Sequence, residues 1–281
     1  METCWLASYP KSGNTWFRIF LANLLFPNVA PVDPNNLPIS NLIASARAPF
    51  QEIFGFSSSL LTSEESARLR PSIDAFIARD WSGQVCLRKA HDAYTTLPDG
   101  RPLMGGPPQF RAIYLLRDPW DVAVSAANHW DLSIEETVNR MCNEQHKHHH
   151  AHDINEQFPQ HLLSWSQHAQ SWLNSPLEVC LIRYEEMHSD AMRAFGKAVK
   201  FLGLEYDDKD IGTAIQASEF NRLQRLESDE GFIETPRTNT TFFRKGIQGE
   251  GLSILTPGQL TRLRRERAIV EQVIQDLDDH S

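Results

Sequence analysis

The stretch from residue 5 to residue 25, WLASYPKSGNTWFRIFLANLL, contains a polar turn between two apolar runs. The turn supplies one cation, three hydrogen-bonding side chains and a glycine: Lys11, Ser12, Gly13, Asn14 and Thr15. The second apolar run has helical spacing, with Trp16, Ile19, Phe20 and Leu24. This pattern predicts a strand, a loop and a helix. The first N–H groups of a helix are unpaired and lie at its positive end, so we expect the loop to bind an anion.

The order of residues in this loop distinguishes it from the common nucleotide-binding loop G-x-x-x-x-G-K-[ST]. That loop has its Lys after the second glycine, whereas Lys11 precedes Gly13 and no glycine stands upstream. The order P-K-S-G-N-T-W, which ends at Trp16, resembles the 5′-phosphosulfate-binding loop of sulfotransferases that use 3′-phosphoadenosine 5′-phosphosulfate (PAPS). On the loop alone, a strand-to-helix turn without a ligand is the alternative interpretation.

Further charged and polar residues follow other predicted strands. Residues 84–89 (QVCLRK) end in Lys89, and Ala90 and His91 follow directly. Residues 111–117 (RAIYLLR) end in Arg117. The first segment resembles the K-x-H segment that carries the catalytic His of the same family. The second, with Ser125 on the predicted helix after it, resembles the family's 3′-phosphate segment. An Arg fork and a helix N-terminus are both suited to bind a phosphate.

Two more segments extend the resemblance toward the C-terminus. Tyr184 in RYEEM lies where the family has a Tyr beside the adenine, and Ser218 and Phe220 in QASEFNRL lie where it has residues around the same base. Arg244, Lys245 and Gly246 resemble the R-K-G-x-x-G segment that closes over the 3′-phosphate.

Taken together, these segments occur in the family's order and cover most of the chain, so the chain is identified as resembling PAPS-dependent sulfotransferases. It is most similar in length and opening motif to bacterial members that sulfate natural products. It departs from many animal members after Gly249, where it has Glu250-Gly251-Leu252 instead of Asp-Trp-Lys, and it has no match to their dimer motif. The oligomeric state, a homodimer included, is therefore left open.

The resemblance implies an in-line transfer of the sulfuryl group from PAPS to an acceptor hydroxyl, with adenosine 3′,5′-bisphosphate (PAP) as product. Three residues would be catalytic. Lys11 would stabilise the leaving phosphate, Lys89 would contact the sulfuryl oxygens, and His91 would act as general base. The loop has no Walker-type Lys-Ser/Thr pair after a second glycine, which is the pair that holds Mg²⁺ in nucleotide kinases, so no metal is expected. A nucleotide kinase or NTPase, and a non-catalytic nucleotide-binding protein, are the alternatives.

Composition indicates a globular protein of 281 residues with 41% apolar residues. The net charge of −9 argues against a nucleic-acid or anionic-membrane surface. We find no membrane-spanning run and no signal peptide, and therefore expect a cytoplasmic protein. Cys4, Cys86 and Cys180 lie in predicted strands without C-x-x-C spacing, so we expect buried, reduced thiols.

Strands alternating with helices predict one α/β domain over residues 1–281, with a P-loop-like parallel sheet between two helical layers. A fourth strand is predicted at residues 178–184, and helices near 62–79, from Pro119, near 159–173, 192–202 and 210–220, and from Pro257. Asp118 is the expected N-cap of the helix from Pro119. Residues 131–158 and 227–241 are expected to be polar and irregular.

The acceptor, a small molecule or natural product, is not determined by these motifs. Its pocket is expected from variable loops, with residues 50–56, 100–109 and the His-rich segment 146–152 as candidates. Phe50 and its aromatic neighbours are more typical of a small separate core than of a pocket. The His-rich segment is interpreted as a surface loop in preference to a metal site, because it lacks defined ligand spacing.

Overall fold

The computed structural model describes residues 2–39, 43–148, 157–235 and 241–279. Its strands are β1 (Thr3–Ser8), β2 (Cys86–Ala90), β3 (Phe110–Leu116), β4 (Lys147–His148), β5 (Gln160–His161) and β6 (Val179–Arg183). Four of them form a parallel sheet in the order β2-β1-β3-β6, and β4 and β5 form a separate antiparallel pair. The predicted parallel α/β sheet is confirmed, with the predicted strands in place to within one or two residues at most ends.

The helices are α1 (Asn14–Leu25), α2 (Ala48–Phe54), α3 (Ser63–Asp80), α4 (Pro119–Trp130), α5 (Ile134–Met141), α6 (Trp165–Leu173), α7 (Tyr184–Ser189), α8 (Ala191–Phe201), α9 (Asp208–Ala217), α10 (Phe220–Glu230), α11 (Glu250–Ile254) and α12 (Pro257–Asp279). Alternate side chains of β1 enter different cores, as the two-residue period of a strand requires. Leu6 packs in the core with α1, α8 and α9, whereas Trp5 and Ala7 pack in the core with α4, α6 and α12. Both faces of the sheet are therefore covered.

The sheet register brings the carboxyl ends of its strands to one edge. Ala7 of β1 pairs with Ala90 of β2, and Ser8 pairs with Leu115 of β3. Loops that follow parallel strands meet at such an edge, which is where open α/β sheets bind their ligands. The anion-binding loop, the residues after β2 and the residues after β3 are thus neighbours.

Three predicted boundaries are wrong. The helix predicted from residue 159 begins only at Trp165, because the Ser164 side chain caps it by accepting a hydrogen bond from the Gln167 N–H. The predicted irregular segment 131–158 contains α5, which starts with a capping box between Ser133 and Glu136. The helix predicted at 210–220 ends at Ala217, and a second helix, α10, extends to Glu230, into the segment predicted to be irregular from residue 227.

Other local predictions have mixed outcomes. The capping box of α3 is present, with Thr62 and Glu65 bonded reciprocally. Pro119 opens α4, but the Asp118 side chain makes no capping hydrogen bond and instead pairs with Arg267 at 3.3 Å. Phe50 is fully buried in a small core with Ile73 and Phe158, which confirms the packing interpretation.

The cysteines agree with the expectation of buried thiols. Cys4, Cys86 and Cys180 are buried free thiols, and burial raises the pKa of Cys4 to about 12. Within the described ranges, no helix is long and apolar enough to cross a membrane.

Candidate active site

A cavity of about 820 Å³ lies at the carboxyl edge of the sheet. Most of the predicted site residues line it: Lys11, Gly13, Asn14, Thr15, Trp16, Lys89, His91, Arg117, Ser125, Tyr184, Phe220, Arg244, Lys245 and Gly246. Residues up to 235 positions apart in the chain therefore meet in one place, from Lys11 to Gly246. Ser12 and Ser218 are not part of its wall.

Backbone conformation shapes the anion-binding loop. Lys11 and Gly13 both have left-handed φ angles, of 69° and 95°. A Cβ at position 13 would lie 2.7 Å from the Tyr184 ring, so glycine is required by conformation and by space. Arg117 fixes the loop from the neighbouring strand, since its Nη1 donates to the Lys11 carbonyl over 2.9 Å. The loop is thus held open at the N-terminus of α1.

Two buried side-chain oxygens of the loop have no hydrogen-bond partner within the described part of the chain. They are Ser12 Oγ and Asn14 Oδ1. The Asn14 amide nitrogen, in contrast, donates to the Leu6 carbonyl at 3.0 Å and to Ser8 Oγ at 3.3 Å. Buried polar atoms are rarely left unpaired, so these oxygens fit a loop that completes its hydrogen bonds with a ligand or water.

The Lys11 ammonium is desolvated in the cavity. Its Nζ lies 3.7 Å from the centroid of the Phe242 ring. The pKa of Lys11 is lowered to about 7, chiefly by burial; Glu234 opposes this shift, and Arg117 and Lys89 add to it. An anion bound beside Lys11 would therefore restore its charge.

His91 is held in one orientation by the strand beside it. Its Nδ1 lies 2.9 Å from the Ser8 carbonyl, which can only accept, so Nδ1 carries the proton and Nε2 keeps its lone pair. Burial and the nearby Lys89 ammonium hold the pKa of His91 well below its usual range. The imidazole is therefore neutral at pH 7 and able to accept a proton.

A buried network that the sequence did not indicate supports His91. His168 donates from Nε2 to the His91 carbonyl at 3.1 Å, and its Nδ1 lies 2.9 Å from the Tyr114 hydroxyl. Asp92, the next residue, forms a fully buried ion pair with Arg70 at 2.7 Å. These contacts fix the backbone on both sides of the imidazole. No local motif connects residues 70, 114 and 168 to His91, so only the fold could reveal them.

A second group of cations lies on the side of the cavity formed by β3, α4 and the segment before α11. The Arg117 guanidinium stacks on the Tyr184 ring at 4.1 Å. Arg244 and Lys245 both bind Glu250, the latter at 2.7 Å. The Asp121 carboxylate accepts hydrogen bonds from the Gly249 and Gly251 N–H groups at 2.7 and 2.9 Å. Asp121, which carried no role in the sequence interpretation, thereby ties this segment to α4.

Of the two residues predicted to bind the base at 218 and 220, one lines the cavity and the other does not. Phe220 lines the cavity beside Gly246, where a Cβ would lie 2.6 Å from the Phe220 ring. Ser218 is instead completely buried, donating to the Ala214 carbonyl at 2.7 Å and accepting from Asn23 at 3.1 Å. Ser218 therefore connects the end of α9 to α1 and does not reach the cavity, contrary to the expectation of a base contact.

Glu234 is the residue of the cavity wall that sequence reasoning missed most clearly. It lies among the cations of the loop side, accepting from Thr15 Oγ1 at 3.0 Å and from Lys89 Nζ at 3.3 Å. Arg18, also missed, donates to the other carboxylate oxygen. Nothing in the local sequence around Glu234 distinguishes it from a surface acid.

Beyond His91 the described cavity wall contains both polar and apolar side chains. Trp130 stacks on His148 with ring centroids 4.9 Å apart. Other residues that line the cavity are Arg140, Gln157, Gln160 and Ile43. Of the loops expected to form an acceptor pocket, residues 50–56 and 100–109 do not line the cavity. His148 of the His-rich segment does, whereas residues 149–152 lie outside the described residues. The described ranges contain no group of three or more metal-binding side chains.

Comparison with known proteins identifies the family. The model of the sulfotransferase domain matches residues 2–275. Cytosolic sulfotransferase 5 of Arabidopsis thaliana is 26% identical over 270 residues, which cover 90% of this chain and 74% of the relative. Sulfotransferase 2A1 of Macaca fascicularis is 25% identical over 269 residues, covering 90% and 79%.

Solved structures have the same fold at lower identity. Mouse sulfotransferase SULT7A1 complexed with PAP aligns with a TM-score of 0.57 and 18% identity, over 94% of this chain and 83% of that one. Retinol dehydratase in complex with androsterone and PAP aligns with a TM-score of 0.58 and 16% identity, over 98% and 81%. The domain match covers nearly the whole chain, and this protein belongs to the sulfotransferase domain family and is a sulfotransferase.

Proposed function

We propose that this sulfotransferase uses PAPS as its donor and transfers the sulfuryl group to an acceptor hydroxyl, with His91 as general base. The observation that carries the proposal is a neutral imidazole, with Nε2 free to accept a proton, in one cavity with two groups of cations. Two phosphate-bearing ends of one nucleotide require two such groups. The PAP complexes of the structural relatives support the same donor class.

The loop side would bind the 5′-phosphosulfate. Lys11, the amides at the start of α1 and the Thr15 hydroxyl supply donors there. The side formed by Arg117, Ser125 and the Arg244–Gly246 segment would bind the 3′-phosphate, and Tyr184, Phe220 and Trp16 would enclose the adenine.

The reaction then needs one bond to form and one to break. PAPS supplies an activated sulfuryl group. His91 Nε2 accepts the acceptor's proton as the acceptor oxygen bonds to sulfur, and the bond between sulfur and the phosphate oxygen breaks. Lys11 stabilises the charge on the leaving phosphate, and Lys89 the charge on the sulfuryl oxygens. The electron pair of the broken bond stays on PAP, so the step needs no oxidant or reductant.

The acceptor would be a hydroxyl compound with several hydrogen-bonding groups. Arg140, Gln157, Gln160 and His148 contribute polar atoms to the described wall beyond His91. A polar acceptor could form hydrogen bonds with these side chains, whereas an apolar acceptor could only cover them. Trp130 offers a flat surface for a ring. We therefore favour a polar natural product, of the kind bacterial members sulfate, and a cytoplasmic location like that in the names of the curated relatives.

Calorimetry and a transfer assay test this proposal together. The protein should bind PAP in preference to Mg-ATP, since Arg117, Arg244 and Lys245 offer a second group of cations for a 3′-phosphate, which ATP lacks. With labelled PAPS it should transfer sulfuryl groups to members of a panel of polyhydroxylated and phenolic compounds. Preference for Mg-ATP would favour the kinase alternative, and PAP binding without transfer to any compound in a native extract would favour a non-catalytic binding protein.

A further inference from the structure

The Glu234 carboxylate lies where an anion would be expected to bind. It lies in the chain between α10 and the Arg244 segment, and its side chain is 26% exposed. Thr15 and Lys89 both donate to its Oε2, and Arg18 donates to Oε1. Burial alone would raise the pKa of Glu234, but Lys89 and Arg18 outweigh it and hold that pKa well below its usual range. Glu234 is therefore an anion throughout the physiological pH range.

Arg18 explains why an anion is needed there even without a nucleotide. Its side chain is only 1% exposed, on the first turns of α1 beneath the loop. A buried guanidinium without a counter-ion is strongly destabilising. Its Nη2 also donates to Thr15 Oγ1 at 3.3 Å, so Arg18 orients the hydroxyl that points at the carboxylate. Arg18, Thr15 and Lys89 form one cluster with Glu234 at its centre.

Two of these three donors are residues that the proposed donor site assigns to the phosphosulfate. A carboxylate and a phosphosulfate both present several oxygens to such donors, and one Thr15 hydroxyl proton serves a single acceptor at a time. We propose that Glu234 is the resident counter-ion of the donor site, and that PAPS binding exchanges its carboxylate for the phosphosulfate. Arg18 stays in place as a positioning residue that orients Thr15 for whichever anion is bound. This inference rests on the proposed function.

The backbone around Glu234 is fixed independently of the cation cluster. Asn35 accepts from the Ile233 N–H at 2.8 Å and donates to the Gly231 carbonyl at 3.1 Å. On the other side, Thr235 donates to Glu227 at 2.9 Å. Release of the carboxylate therefore requires rotation of the Glu234 side chain and leaves these backbone and side-chain anchors intact. The exchange is therefore local. Because the Glu234 contacts must break before PAPS binds, their stability lowers the affinity for PAPS.

Glu234→Gln tests the exchange, with Glu230→Gln as its matched control. Glu230 is exposed at the end of α10, so its substitution removes the same charge outside the cluster. We expect Glu234→Gln to bind PAP about fivefold to tenfold more tightly than the unsubstituted protein in calorimetry, because a neutral amide competes less well than a carboxylate with the 5′-phosphate for the Thr15 hydroxyl. Without PAP its Tm should fall, since Arg18 loses its counter-ion, and PAP should raise that Tm by more than in the unsubstituted protein. Glu230→Gln should change neither.

Arg18→Met in the Glu234→Gln background separates the role of Arg18. We expect this second substitution to lose most of the gained PAP affinity, because Thr15 is no longer oriented. Equal or weaker PAP binding by Glu234→Gln would overturn the exchange and indicate that the carboxylate stays with the bound donor. If the unsubstituted protein failed to bind PAP at all, the proposed function itself would be wrong, so the two failures are distinguishable.

Discussion

The part of the cavity proposed to bind PAPS, here the donor side, differs from the part proposed to bind the acceptor, here the acceptor side. The difference lies in how their residues are arranged along the chain. On the donor side, Lys11, Lys89 and Arg117 each lie within three residues of the carboxyl end of a strand. On the acceptor side, Ile43, Arg140 and Gln157 come from separate connections and from the short helix α5. The two sides meet at His91, which follows β2 directly.

The proposed ligands of the two sides would account for this difference. A phosphate group has the same charge and shape in every nucleotide, and unpaired amides at a strand-to-helix junction suit it with few side chains. Such a junction is local in sequence and therefore gives a recognisable motif. An acceptor pocket needs only a shape and a set of hydrogen bonds, which many combinations of loop residues can provide. Substitutions should accordingly affect catalysis, donor binding and acceptor binding separately.

His91→Ala should have the largest effect, because His91 lies where the two sides meet. We expect the rate of sulfuryl transfer at saturating PAPS to fall on the order of a hundredfold or more, the usual contribution of a positioned general base. PAP affinity, measured by calorimetry, should change little, since the imidazole is neutral and its polar contact is to the Ser8 carbonyl.

The matched control for this variant is His161→Ala. His161 lies in β5 and does not line the large cavity. Its substitution should leave the transfer rate near that of the unsubstituted protein. Near-normal turnover by His91→Ala with intact PAP binding would show that another group accepts the proton.

Arg117→Ala should weaken the donor side alone. A charge-assisted hydrogen bond contributes about 1.5–3 kcal/mol, so PAP affinity should fall on the order of tenfold to a hundredfold. The loss includes the bond to the Lys11 carbonyl that holds the loop.

Arg111→Ala provides the comparison on the same strand. Arg111 lies near the other end of β3, where it donates to the Phe201 and Leu202 carbonyls. The Arg111→Ala substitution should lower the Tm without changing PAP affinity. Equal losses of PAP affinity in both variants would mean that Arg117 acts only through general stability.

The same contrast determines how much the sequence could predict. The sheet and the loop at Lys11 were predictable, because short continuous apolar runs and the strand-to-helix junction are local patterns. The helix α5 was also detectable in principle, since Ser133 and Glu136 form a capping box. Glu234 and His168 were not, because their roles depend on contacts with residues 219 and 77 positions away in the chain. Ser218 was assigned to the base by resemblance, yet its hydroxyl is used inside the fold.

Arg140→Met should affect the acceptor side alone. Arg140 lines the cavity at the end of α5, and within the described ranges it has no ion pair. If its guanidinium binds the acceptor, kcat/KM for a polyhydroxylated acceptor should fall about tenfold, the lower range for a charged hydrogen bond. PAP affinity should not change. Arg193→Met on α8, an exposed position, is the control. A loss of PAP affinity in Arg140→Met would contradict the division of the cavity into two sides.

The pH dependence of PAP binding should show the smallest effect and tests the loop itself. Lys11 has a pKa of about 7 in the unliganded protein, where burial lowers it and Arg117, Lys89, Glu234 and Glu227 also face it. A bound phosphate raises that pKa, so the complex holds more protons than the free protein and affinity falls as pH rises above about 7. The protonated fraction of such a group drops from about one half at pH 7 to about one tenth at pH 8, so we expect about fivefold weaker binding. Above pH 7 the phosphates themselves are already ionised, since their second pKa is about 6.

Lys11→Arg keeps its charge throughout this range and should give a flatter profile. Identical profiles for the two proteins would mean that Lys11 is already charged before the nucleotide binds.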